Sequence, residues 1–102
     1  MSLALTRGDD PTLITRGCVY KNMSASGLVD TGRGQLRGIF CASNAGGATL
    51  KIWNSLTATG AVLVNTFVPA AATFYNFGDA DYNVGVYITL AVAAADWTVF
   101  YL

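Results

Sequence analysis

Histidine and glutamate are both absent from this chain, and lysine occurs only at Lys21 and Lys51. Without histidine there is no ordinary general base for a serine or cysteine nucleophile. The commonest metal ligand goes with it, and two cysteines 23 positions apart, Cys18 and Cys41, do not space a zinc site. Charge is scarce as well: 12% of residues are charged, against the roughly 25% usual for a soluble domain. The six basic residues (Arg7, Arg16, Lys21, Arg33, Arg37, Lys51) form no run, so binding to nucleic acid through phosphates has no support. No stretch approaches the roughly 18–20 unbroken apolar residues of a membrane helix. The first ten residues place their charges after a short apolar stretch, which is not the order of a signal peptide. Synthesis in a cytosol is the expectation, with neither membrane nor nucleic acid as a partner.

What is present is a 102-residue chain, one domain's worth, of which 53% is hydrophobic and whose net charge is zero. That is more apolar surface than a lone small domain needs to hide, and a neutral chain does not repel its own copies. Both features suit a protein that joins an assembly. The abundant Val, Thr, Tyr, Phe and Gly favour pleated strands and turns, and Ala91 to Ala95 is too short for a stable helix.

Strand candidates are Cys18 to Ala25, Gln35 to Ser43, Thr49 to Ser55, Ala61 to Val68, Thr73 to Phe77, Val86 to Val92 and Trp97 to Leu102. Between them, Gly27 to Gly34 reads as a loop and Asp79 to Gly85 as a polar turn, while Pro69 stops the run from Ala61 to Val68. Residues 35 to 68 look like two consecutive hairpins. Val86, Ile88, Leu90 and Val92 alternate against Tyr87, Thr89 and Ala91. The expected fold is all-β: an antiparallel β-sandwich, jelly-roll or immunoglobulin-like, of about 7–8 strands over residues 17–102. The last candidate strand belongs inside the sheet, so its loss should unfold the domain. Residues 1–16 alternate poorly and read as an extended N-terminal arm, ordered against a neighbour. Cys18 and Cys41 allow one pairing; both read as buried free thiols.

Candidate chemistry is thin. Leu28-Val29-Asp30-Thr31-Gly32 matches the loop of aspartic proteases, which pair two carboxylates around one proton. The family has Ala or Ser after the glycine, where this chain has Arg33, and its later apolar-apolar-Gly motif is missing. The simpler reading is a loop aspartate capping a turn. Arg7-Gly8-Asp9 matches the tripeptide bound by integrins, a string too short to carry a role. Asn76, Asp79, Asp81 and Asn83 could offer oxygens to a hard cation, but read first as a solvated turn. Gly32-Arg33-Gly34 has no following helix with which to hold phosphate. No residue is assigned to catalysis, a metal or a cofactor. The aromatics of the second half fill core and rim. Trp53 alternates with Thr49 and Lys51, points outward, and is the best interface anchor. With Leu3, Leu5, Arg7 and Leu13 of the arm it makes up the candidate partner surface.

The stretches Gly34-Gln35-Leu36-Arg37-Gly38-Ile39-Phe40, Ala48-Thr49-Leu50-Lys51-Ile52-Trp53-Asn54-Ser55, Thr59-Gly60-Ala61-Val62-Leu63, Phe67-Val68-Pro69, Gly85-Val86-Tyr87-Ile88 and Asp96-Trp97-Thr98-Val99-Phe100-Tyr101 resemble the small β-sandwich proteins that decorate or cement the capsids of tailed bacteriophages. The resemblance covers residues 34–102 and rests on strand pattern and turn positions. It implies a structural virion protein on the capsid exterior, made in the host cytoplasm, commonly a homotrimer, holding joints between major capsid protein subunits. It carries no active-site residue and no cofactor. The alternative from another class is a fibre or appendage domain that recognises host-surface glycans.

Overall fold

The computed structural model describes residues 18–102. Eight strands and no helix are found there: β1 (Val19–Met23), β2 (Gly27–Thr31), β3 (Gly34–Ser43), β4 (Thr49–Asn54), β5 (Ala61–Phe67), β6 (Thr73–Tyr82), β7 (Gly85–Ala91) and β8 (Asp96–Tyr101). They form two four-stranded antiparallel sheets, sheet A in the order β1-β8-β3-β6 and sheet B in the order β2-β7-β4-β5.

This order has a simple origin. The first strand pairs with the eighth, the second with the seventh, the third with the sixth, the fourth with the fifth. The chain is one long hairpin rolled up so that alternate pairs fall in opposite sheets, which is the jelly-roll topology. An immunoglobulin-like order is thereby excluded.

Inward residues of both sheets supply the core. Leu36, Ile39, Cys41, Trp97 and Val99 come from sheet A, and Leu50, Ile52, Val86 and Ile88 from sheet B, all essentially without solvent exposure. Fully burying each aliphatic side chain is worth about 1.5–3 kcal/mol. β4 reads inward at every second position because successive side chains of a strand point to opposite faces; β3 does so from Ile39 to Cys41, but its register shifts between Leu36 and Gly38, so that Leu36 and Ile39, three apart, both point inward. Phe67 lies edge-on to both Tyr75 and Phe77, closing the core on its β5–β6 side.

Four sequence expectations change. Gly27 to Gly34 is not a loop: Gly27–Thr31 is β2, which draws its ladder from β7. Asp79 to Gly85 is not simply a turn, because β6 runs on to Tyr82. Gly78 and Asp79 take left-handed backbone angles (φ 68° and 56°) that form a bulge in mid-strand. Residues 35 to 68 hold one hairpin, β4–β5; β3 and β4 lie in different sheets. Val92 does not extend the inward row of β7. It sits after the strand end, with φ 79° and 83% exposed.

The passages between sheets are pinned by asparagines. Asn44 Nδ2 donates to the carbonyls of Ala48 and Pro69, and Asn44 Oδ1 accepts from the Ala48 amide at 2.7 Å. Asn54 Oδ1 accepts from the amides of Asn83 and Val84. Loop backbone that crosses a sandwich end needs such partners, since its own ladder has stopped.

Candidate functional site

A sandwich in water ordinarily turns polar residues outward on both sheets. Both outer faces here depart from that rule. In sheet A the ladder sets Tyr20, Phe100, Gly38 and Asn76 in one row across the four strands, and Asn22, Thr98, Phe40 and Phe74 in the next. None of these positions is charged. Tyr20 is 64% exposed, Phe74 47% and Phe40 37%. Phe74 meets Phe100 edge to face, centroids 6.0 Å apart at 61°, an arrangement favoured by the ring quadrupoles. Gly38 permits it: a Cβ there would strike the Phe74 ring and the Tyr75 carbonyl. Thr98 Oγ1 donates to Asn22 Oδ1 at 2.7 Å, which satisfies two of the polar groups between the rings.

In sheet B the register aligns Leu28, Tyr87, Trp53 and Val62 in a row. Trp53 does face outward, as the alternation with Leu50 and Ile52 requires. It is fixed on both sides. Its Nε1 reaches Thr89 Oγ1 at 3.4 Å, and Lys51 Nζ stands 4.3 Å from the ring centroid. Among the described residues Lys51 forms no ion pair; Arg37 with Asp79, at 2.9 Å, is the ion pair found there.

A third feature is an open polar cleft of about 680 Å³ at one end of the sandwich, lined by Arg33, Gly34, Gln35, Asn54, Asp81, Tyr82 and Asn83. Behind it, Tyr82 Oη donates to Asp30 Oδ2 at 2.6 Å. Burial and then this hydrogen bond to a carboxylate push the Tyr82 hydroxyl well above its usual pKa. Asp30 is therefore not a turn cap, and its side-chain partner among the described residues is Tyr82 and not a second carboxylate. It lies on β2, and its partner is a tyrosine that ties sheet B to sheet A.

The oxygens considered for a cation are committed elsewhere. Asn76 Oδ1 accepts from the Gly78 amide, Asp79 from Arg37, Asp81 from Gln35, and Asn83 from Asn54. No acidic or cysteine cluster suited to a metal occurs among the described residues. Cys18 and Cys41 are free thiols, Cys41 buried as expected and Cys18 only partly. β8 lies between β1, which begins just after Cys18, and β3, which carries Cys41. Cys41 stands opposite Trp97 while Val19, next to Cys18, stands opposite Tyr101, an offset of roughly 13 Å along the strands. That is beyond the about 7 Å Cα span of a disulfide. Leu3, Leu5, Arg7 and Leu13, the Arg7-Gly8-Asp9 string and the whole arm 1–16 lie outside the described residues.

Of the candidate partner residues, then, the fold places Trp53 on the outer face of sheet B, and it shows a second aromatic face, on sheet A, that sequence reading missed. Tyr20, Phe40, Phe74 and Phe100 are far apart in the chain, and only the rolled-up register brings them to one face. Comparison with protein-family models, with curated proteins and with solved structures gives no match to this chain.

Proposed function

We propose that this chain is a structural virion protein, a decoration or cement protein that binds the assembled capsid of a tailed bacteriophage and stabilises joints between major capsid subunits. The observation that carries the reading is the pair of aromatic outer faces, Tyr20–Phe40–Phe74–Phe100 on one side and Tyr87–Trp53 on the other. A sandwich with something to bury on both sides is suited to bridging neighbours. No catalysis, metal or cofactor enters the reading. Trp53, held in place by Lys51 and Thr89, is the anchor toward the shell, and Lys51 above it favours an acidic surface there.

The mechanism is mass action. A protein that binds the assembled shell and not its free subunits shifts the balance toward the shell, by about 2.7 kcal/mol per site when its concentration is 100 times Kd. Copies around each joint multiply that effect without strong individual contacts.

The test is to purify particles and count copies by quantitative gel analysis, then add the chain to shells that lack it. Hundreds of copies per particle and a raised temperature of shell rupture are expected. Trp53→Ala should weaken shell binding about 30-fold, the effect of losing a typical hot spot. A handful of tail-associated copies that bind host glycans would replace this reading with that of an appendage domain.

A further inference from the structure

Charge is scarce enough on this molecule to be followed group by group. Among the described residues every carboxylate side chain accepts a hydrogen bond: Asp30 from Tyr82, Asp79 from Arg37, Asp81 from Gln35 and Asp96 from Ser43. Of the cations, Arg37 pairs with Asp79, and Lys21 donates to the Leu28 carbonyl. Two cations have no oxygen partner among these residues. One is Lys51, standing over the Trp53 ring; the other is Arg33, on the wall of the polar cleft. They flank one stretch of surface. Asn54 lines the cleft, and Trp53 precedes it on β4, about 3.3 Å of strand away.

The cleft holds a second donor facing Arg33. Asn54 Oδ1 accepts from the backbone amides of Asn83 and Val84, which fixes the Asn54 side chain, and Asn54 Nδ2 then donates to Asn83 Oδ1 at 2.9 Å. That leaves Asn83 Nδ2 as a donor without an acceptor among the described residues. The β3–β6 register ends at Gly34 opposite Tyr82, so Arg33 and Asn83 are the next positions on the two walls. The backbone of Arg33 is held from both sides. The Gly32 amide donates to the Val84 carbonyl at 2.9 Å, and Gly34 packs so closely on the Leu102 carbonyl and the Tyr82 hydroxyl that no Cβ fits. A guanidinium and an amide across one cleft, on fixed backbone, match the two oxygens of a carboxylate.

We infer that the cleft binds a carboxylate side chain of a partner protein, with Arg33 and Asn83 donating to its oxygens, and that it forms one docking surface with Lys51 and Trp53. This deepens the reading of Trp53 as the anchor toward the shell and rests on it for the identity of the partner. The partner's chemistry is an acidic segment, because the two cations left without oxygen partners both belong to this surface. A nucleic acid is the poorer occupant. Asp81 lines the same cleft, and two cations cannot neutralise a run of phosphates.

Fluorescence anisotropy of the full chain with a labelled glutamate-rich peptide tests this without any shell. A peptide with Gln in place of each Glu and a thymidine oligonucleotide are the comparisons. The acidic peptide should bind with Kd on the order of 100 µM in dilute salt, and the Gln peptide at least about tenfold more weakly. Raising salt from about 20 mM to about 300 mM, which shortens the Debye length from about 20 Å to about 6 Å, should weaken binding severalfold. Arg33→Gln should weaken it about tenfold and Lys51→Gln about threefold. Lys21→Gln, the same loss of charge outside the cleft, should leave it unchanged. Arg33 is exposed, so its variant should keep the native circular dichroism spectrum. A full chain that does not bind the acidic peptide overturns the inference, whether the cleft has no affinity or is held by Asp9 and Asp10 of the chain itself. So does binding that salt or Arg33→Gln leaves intact, or that the oligonucleotide matches. Peptide binding by a chain that attaches to no shell would leave the cleft standing and remove the capsid reading. Shell attachment by a chain that ignores the peptide would do the reverse.

Discussion

Tyr82 Oη to Asp30 Oδ2, at 2.6 Å, is the shortest side-chain hydrogen bond among the described residues, and it crosses from β6 of sheet A to β2 of sheet B. Its pH dependence follows from the direction of the shift. Burial, and then the carboxylate, hold the Tyr82 proton beyond its ordinary pKa of 10.0, and burial does the same at Tyr101. The folded state therefore binds these protons more tightly than the unfolded chain does. The stability this represents is complete below about pH 10 and is lost as pH rises past it, by on the order of 1.4 kcal/mol per pH unit per group. Replacing Tyr82 with Phe should cost about 1–3 kcal/mol at neutral pH, because the Asp30 carboxylate loses its donor. The same change should flatten the alkaline slope, leaving the Tyr101 share. Urea melts at pH 7 and pH 10.5 check both, and an unchanged slope would refute the assignment. In the sequence Asp30 reads as part of a protease-like or turn-like Asp-Thr-Gly. Its real partner is 52 positions away, and no local pattern points to it.

At the scale of elements, the strands that alternate cleanly are legible. β4, β7 and β8 lie close to where their hydrophobic period puts them, because inward burial at every second residue leaves a mark in the sequence; β3 also lies near its expected place, although its register shift between Leu36 and Gly38 breaks the period. β2 is hidden because Gly27, Asp30 and Gly32 look like turn formers, while its ladder is supplied entirely by β7. The second half of β6 is hidden by Gly78 and Asp79, whose left-handed angles belong to a bulge and not to a strand end. Asp79 is held in that conformation while its carboxylate accepts two hydrogen bonds from Arg37. The position of β8, in contrast, agrees with the expectation that the last strand is interior. β8 lies between β1 and β3, and Leu102 exchanges backbone hydrogen bonds with Gln35 in both directions. Deleting residues 99–102 removes the fully buried Val99 and takes most of β1's ladder with it. The loss approaches the 5–15 kcal/mol total stability of a small domain. Circular dichroism of the truncated chain should show an unfolded protein at 25 °C, and a retained β spectrum would contradict the interior role of β8.

The rolled hairpin makes the whole molecule cooperative and slow to form. Its closest pairing in sequence joins β4 to β5, where Asn54 meets Ala61 across a short turn; its most distant joins β1 to β8, where Val19 meets Tyr101. Each further pair can form only after the chain between has been closed, and closure entropy grows with the length enclosed. The aromatic face of sheet A draws Tyr20 from the first strand and Phe100 from the eighth, so it is among the last surfaces completed. A contact made there cannot be offered by a half-folded chain, because the face exists only once the outer pairs have closed. Folding dominated by such non-local pairs runs in milliseconds to seconds, not microseconds. Stopped-flow refolding of the monomer at low concentration should therefore show a phase in that range. Ile52→Val, in the central strand beside the shortest hairpin, should slow folding. Val99→Ala, in the strand that closes the roll, should mainly speed unfolding. Equal φ-values at the two positions would mean that the roll closes in a single concerted step, and not outward from the β4–β5 turn.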